Sequence, residues 1–338
     1  MPTTIDHYAL AILDNFETEI EEVRLRDHPR IVRLNLLTDP RSDLLLGERA
    51  SRAGKEDRAQ TFLSERGYPV RPFREITGMT FQKRIDEFAH HAIEWHFAGK
   101  VGDPFNEHYD RFFPIKLFSD VVTSLRLLKS GQIGRLASTH LIMGDPSGIE
   151  GPWSVTETLN YAPSVADSFK PYRFLRDDVE SLKRLFAELS TCKNQQIRIA
   201  IDRFDRQYSR ESDADRLIDI MIGFESLYLK GAKDSELRFR LAARAARHLG
   251  HERSQRQNIF DCVTAAYELR SQTVHGAINT LNGSKLLGNW KTPNAMLNQL
   301  SSILGSAIQS ILLEVGPMSF AKDFHGKLDN AIIQGADR

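Results

Sequence analysis

The chain has 338 residues, and its 45 lysines and arginines match its 45 aspartates and glutamates, so the formal net charge is zero. That balance excludes a uniformly basic nucleic-acid coat, though not a local basic patch. With 41% hydrophobic and 27% charged residues, disorder is excluded as the general state, and at roughly 150 residues per domain the length suggests about two domains.

No stretch approaches about 18 uninterrupted apolar residues, so no spanning helix is expected. The opening MPTTIDHYALAILDNFETEIEE carries acids and no basic lead-in, which argues against a secretory signal. Cys192 and Cys262 are too few for a disulfide framework or a Cys-based zinc site. The expectation is a soluble chain of a reducing compartment, the cytoplasm.

Up to about residue 165 the chain is broken by turn signals: Asp39-Pro40, Gly67-Tyr68-Pro69, Gly102-Asp103-Pro104, Gly144-Asp145-Pro146 and Gly151-Pro152. Between them, Ile31 to Leu36 alternates as a strand does, and Gly78 to Phe81 and Thr139 to Met143 do so more weakly. Gln82 to Phe97 has helical spacing, with Ile85, Phe88, Ala92 and Trp95 on one side. Residues 1–165 therefore read as an α+β region.

Glu87, His90 and Glu94 then fall at i, i+3, i+7, with His91 and His96 adjacent. The spacing suits a metal, but no second ligand-bearing segment accompanies it, so a polar helix face is the reading and no metal or cofactor is expected. Gly131-Gln132-Ile133-Gly134 is too short for a phosphate loop and reads as a hairpin turn. No dinucleotide fingerprint, Walker loop or nucleophile elbow is present.

From about Tyr172 the pattern is helical. Asp177-Asp178 opens a helix carrying Val179, Leu182, Leu185 and Phe186. A second helix runs through Ile197, Ile199, Ile201 and Phe204, and a third from about Asp213 to Lys230, ended by Gly231. A fourth spans about Ser235, its N-cap, to Leu249, with Gly250 beyond. A fifth runs from about Ser254 towards His275, and after a Gly- and Asn-rich loop a last one starts behind Pro293 and reaches about Val315. Short connections between amphipathic helices imply an antiparallel bundle over 172–315, with 316–338 as a tail.

The fifth helix is the informative one. Ile259, Val263 and Ala266 recur at i, i+4, i+7, and Arg270 continues the stripe at i+11. His275 follows five residues on, about 140° around an ideal helix. The pair converges only if the helix unwinds near Gly276 or if two copies face each other, as in a two-fold dimer. On the third helix Glu225 fills the i+7 place of a stripe made by Ile218, Ile222 and Leu229. A carboxylate there needs a partner, Arg270 or another arginine, or holds a raised pKa. Arg240, Arg244 and Arg247 stand at i, i+4, i+7 on the fourth helix: an RNA-facing stripe, or a solvated face paired with the acids of 211–215.

The stretch Tyr267-Glu268-Leu269-Arg270-Ser271-Gln272-Thr273-Val274-His275-Gly276 resembles the Arg-x4-His signature of HEPN domains in its Apea-like branch. Ile222 to Leu229 and Glu236 to Ala246 resemble that branch's two preceding helices, in the same order and spacing. The resemblance covers about 172–315. It implies a helical bundle that dimerises and a metal-independent endoribonuclease whose Arg and His meet at the dimer cleft. An RNA 2′-OH attacks the adjacent phosphate, leaving a 2′,3′-cyclic phosphate and a 5′-OH. DNA, lacking that hydroxyl, is not cut. His275 is then the proton carrier, Arg270 the fixed charge for the developing phosphorane, and Ser271 a phosphate-positioning group. Such nucleases serve in antiviral defence or as toxins, which would make 1–165 a sensor or a selector of RNA. The competing reading is a non-catalytic dimerisation and binding module; a third is nucleotide transfer onto Tyr267 by a partner enzyme.

Overall fold

A computed structural model describes residues 4–25, 29–33, 91–100, 113–129, 131, 133–143, 153–158, 172–229, 236–276, 290 and 292–334. They fall into two compact units, the first within Met1–Arg126, Gly131–Tyr161 and Asp167–Ala187, the second within Leu127–Ser130 and Glu188–Arg338.

The first unit holds a six-stranded antiparallel sheet. Its strands are β1 (Thr4–Asp14), β3 (Glu22–Arg24), β4 (Arg30–Arg33), β5 (His91–Lys100), β6 (Gly134–Met143) and β7 (Trp153–Thr158), in the order β3-β4-β5-β1-β6-β7. β2 (Phe16–Thr18) pairs in parallel with β8 (Tyr172–Phe174). One helix, α1 (Phe113–Leu128), precedes β6.

The helix expected over Gln82 to Phe97 is corrected here, because its second half is strand β5; residues 82–90 lie outside the described ones, as do Gly78 to Phe81. β5 runs between β4 and β1, and His91, Ala92, Ile93, Glu94 and Trp95 are all buried in succession. A strand covered on both faces loses its period of two, and two buried residues three apart then imitate a helical stripe. The metal-spaced face goes with the helix. Glu94 sits directly across from Arg30 and is ion-paired to it, and Glu87 and His90 lie outside the described residues.

Helix α1 is absent from the sequence reading, although Phe118, Val121, Val122 and Leu125 stand at i, i+3, i+4, i+7 and are buried. Gly131–Gly134 leads from this helix into β6, so the hairpin expected there is corrected too. The connection is closed by Arg126, whose Nε and Nη2 both donate to the Ile133 carbonyl at 2.9 and 2.7 Å. Gly131 is close-packed: a Cβ there would lie 2.7 Å from Cδ2 of Tyr172. Tyr172, in β8, also stacks on Phe16 and is its register partner in β2, which ties residues 172–174 to the sheet-bearing unit. The compact division therefore falls later than the 165/172 boundary read from composition, after Ala187.

The second unit is helical throughout its described residues. α2 (Asp178–Thr191) ends in it, followed by α3 (Gln195–Arg206), a 3-10 turn (Gln207–Ser209), α4 (Asp213–Tyr228), α5 (Leu237–Leu249), α6 (Arg253–Val274) and α7 (Pro293–Ser310). α7 continues as a π turn (Ile311–Val315) into α8 (Pro317–Lys322) and α9 (Phe324–Gln334). The caps follow side-chain chemistry: Asn194 accepts the amides of Gln196 and Ile197, and Ser212 and Thr292 accept those of Asp215 and Ala295. Ser235 and Gly231 lie outside the described residues; α5 starts instead behind Glu236, held at φ +60° without a side-chain cap.

α4 is the centre of this unit, packing on α3, α5, α6 and α7. It buries Leu217, Ile220, Met221, Phe224, Leu227 and Tyr228. Pro293–Val315 is, among the described residues, the one helix long and apolar enough to cross a membrane, yet Met296, Leu297, Leu300, Leu304 and Ile308 on it are buried within the protein. The segment 316–338, read as a tail, contributes two helices with Phe320, Phe324 and Leu328 buried, and α9 packs on α5.

Where α4 meets α7, a Cβ on Gly223 would lie 2.7 Å from Cδ2 of Leu304, a fully buried side chain with no solvent to swing into. Gly223→Ala is expected to destabilise by about 1–3 kcal/mol through overpacking, read as a fall of several degrees in the melting temperature. Gly326 on α9 has nothing within 4 Å of its would-be Cβ, so Gly326→Ala should leave the melt unchanged or raise it.

Candidate functional site

α6 stays regular up to Val274. His275 is its C-cap at φ −85°, ψ 5°, its amide donating to the Ser271 carbonyl at 3.1 Å, and Gly276 turns the chain away at φ +71°. Only glycine takes that turn without strain. Of the two ways sequence geometry leaves for Arg270 and His275 to meet, unwinding near Gly276 begins only at the C-cap His275 and leaves Arg270 inside the regular helix. The two side chains leave one helix in different directions: Arg270 is half-buried, while His275 is exposed.

Arg270 faces α4. Its Nη2 lies 3.7 Å from Oε2 of Glu225, and the two side chains are 28% and 24% exposed. This is an ion pair without a hydrogen bond, and Arg270 Nε is buried with no acceptor. The guanidinium is positioned while its donors remain unspent. Ile218, Ile222 and Leu229 beside Glu225 are all half-buried, so the stripe read from sequence is the rim of α4 and its core face lies elsewhere. Ser271, next to Arg270, is half-buried as well.

Burial pushes the Glu225 carboxyl above its ordinary range, and the nearby Arg270 charge pulls it back only in part. A raised carboxyl pKa in the fold means that the folded chain holds the proton more tightly than the unfolded one, so stability falls as pH rises through the folded value. Glu225→Gln should therefore melt higher than the parent at pH 7, and the difference should shrink towards zero as pH falls below the ordinary carboxylate range. Melting curves of both proteins across that range check it.

The arginine stripe of α5 is corrected in its middle. Arg244 is buried, its Nε and Nη2 donating to Oδ1 and Oδ2 of Asp329 at 2.7 and 2.6 Å, and its Nη1 to the Tyr228 carbonyl. Arg247 is 8% exposed, while Arg240 is half-buried. α9 covers this face, which sequence patterning could not anticipate because Asp329 stood in the supposed tail. The acids of 211–215 are not the partners: Asp213 pairs with Arg216, and Arg238 pairs with Glu268.

A polar chain absent from the sequence reading crosses the same unit. Ser310 Oγ donates to Glu314 Oε2 at 2.7 Å, so it accepts from His248 Nε2 at 3.2 Å, and His248 Nδ1 accepts from the buried Tyr228 hydroxyl at 2.7 Å. Burial raises the Tyr228 phenol far above its usual range, which keeps it a neutral donor. Four residues on three helices were beyond any local pattern. No group of three or more His, Cys, Asp or Glu side chains that could hold a metal occurs among the described residues. Cys192 and Cys262 are free thiols, with Cys262 pushed up to about 12 by burial.

No protein-family model matches the chain, and no curated protein and no solved structure matches it significantly.

Proposed function

We propose that this chain is a metal-independent endoribonuclease built on a HEPN-type helical bundle, with Arg270 and His275 as its catalytic pair. The observation that carries the reading is the contrast on one helix: a guanidinium held beside Glu225 with its Nε unspent, and five residues on an exposed imidazole at the helix end. The proposal has them meet between two protomers. Supporting that, Phe260, Thr264, Tyr267 and Ser271 form a half-buried stripe on α6 that continues to Val274, 52% exposed, and Phe239 beside it on α5 is 56% exposed with its ring edge-on to Phe260. A second copy would cover that stripe.

In the proposed reaction His275 removes the 2′-OH proton, the 2′ oxygen attacks phosphorus, and the P–O5′ bond breaks. The imidazolium so formed passes that proton to the leaving 5′ oxygen. Arg270 holds the non-bridging oxygens bidentately as charge builds on them, helped by Ser271. The role keeps the wider expectations attached to it: a cytoplasmic homodimer acting in defence or as a toxin, with the sheet-bearing unit sensing a trigger or selecting RNA, and with DNA left uncut.

A binding module without chemistry is the second reading, favoured by one observation: Arg244, the middle of the expected RNA-facing stripe, is spent on Asp329. Incubating the purified protein with tRNA and total RNA in EDTA, with its mass measured by light scattering, separates the two. A dimer that cleaves supports the nuclease; a folded dimer that leaves every RNA intact supports the module.

A further inference from the structure

The α5 stripe holds Arg240, Arg244 and Arg247, and among the described residues Asp329 is the carboxylate it faces. Arg244 is the best-held of the three. Its Nη1 is fixed on the Tyr228 carbonyl, so the fork made by Nε and Nη2 stays aimed at one point even if the carboxylate there departs. That fork matches a phosphate as well as a carboxylate. Arg247, one turn on, is 8% exposed and carries no ion pair among the described residues, and its Nε is buried with no acceptor among them. An unpaired charge in such a place is costly, and it leaves positive charge on α5 that Asp329, paired with Arg244, does not contact. Arg240, half-buried on the same stripe, adds its field to Asp329 without contacting it, and His325 does so from α9 itself.

We propose that this stripe is a phosphate-backbone binding site, occupied at rest by the Asp329 carboxylate. The inference rests on the RNA-directed reading above and names where the strand is held outside the catalytic pair. Asp329 stands at the rim, 42% exposed, in front of the Arg244 side chain, 4% exposed, so in the proposal a phosphate takes the place that the Asp329 carboxylate gives up. Arg244 exchanges one bidentate partner for another, and Arg247 and Arg240 gain the counter-charge they lack. The Arg244 guanidinium holds the Asp329 carboxyl below the ordinary range, so this resident anion stays charged at neutral pH and competes there.

The test uses the full chain and a fluorescent 12-nucleotide oligouridine whose 2′ positions are all methylated, which cannot be cleaved. Affinity is read by anisotropy at two salt concentrations. Asp329→Asn, close in shape and uncharged, is expected to bind about tenfold more tightly than the parent, with a steeper salt slope by roughly 0.7 for each phosphate gained. Asp329→Ser is run beside it, and both are checked by circular dichroism. Adding Arg247→Gln to either should cancel the gain. The proposal is overturned if both folded Asp329 variants bind no more tightly than the parent, which would make the pair a purely structural clamp, or if the gain survives Arg247→Gln. Because the probe is uncleavable, a failure here leaves the nuclease reading standing, and a failure to cleave natural RNA leaves this binding result standing.

Discussion

Arg270→Ala is expected to cut EDTA-resistant RNA cleavage by about 10²–10³-fold, the usual loss when a fixed charge on a developing oxyanion is removed. His275→Ala should lose about 10²–10⁴-fold, as when a general acid–base is deleted. Neither change should unfold the protein. Among the described residues Arg270 makes a 3.7 Å ion pair and no side-chain hydrogen bond, and His275 stands exposed at a helix end, so each removes little from the packing. The two variants also test where the pair is assembled. If each cleft takes its arginine from one protomer and its histidine from the other, mixing the two inactive proteins restores one intact pair in every mixed dimer. About a quarter of the parent activity should return on exchange. No recovery from a mixture shown to contain mixed dimers would place both groups within one protomer, against the unbroken geometry of α6.

Phe224→Ala should have the largest effect on stability, a loss of about 3–5 kcal/mol from the cavity left behind. Phe224 is fully buried on α4, its ring 6.3 Å from that of Tyr228, and α4 packs on four other helices. At roughly 2–4 °C per kcal/mol, a drop of about 6–20 °C in the melting temperature is expected. Cleavage should suffer as well, because Glu225, the neighbour of Arg270, is the next residue along the same helix. A melt unchanged within two degrees would mean that α4 is not the centre of its unit.

The helical half was legible because its signals are local. Periodicity gave α2, α3, α4, α6 and α7 to within a few residues, since each buries one stripe and ends at a cap or a glycine. Glu225 was visible as a carboxylate in an apolar stripe, and the partner it was offered, Arg270, is the one it lies against. What failed was non-local. β5 lies inside the sheet between two strands distant in sequence and is buried on both faces, so its pattern imitated a helix. The α5 arginines looked solvated because the helix that covers them begins after Gly316, in a segment with little to mark it as packed. The Tyr228–His248–Ser310–Glu314 chain spans three helices and leaves no trace in any short window. Sequence spacing shows which residues share a face; it does not show what another element lays upon that face.

The most direct test of the central claim is the chemistry of the cut ends. A 12-nucleotide oligomer, methylated at every 2′ oxygen except one, is incubated with the protein in EDTA and its products are weighed by mass spectrometry. The account predicts a single cut after the one free ribose, a 2′,3′-cyclic phosphate on the upstream fragment, a 5′-OH on the downstream one, and no products with Arg270→Ala or His275→Ala. Cleavage at a methylated position, or a 5′-phosphate on the downstream fragment, would contradict it, because neither can arise from attack by the neighbouring 2′-OH.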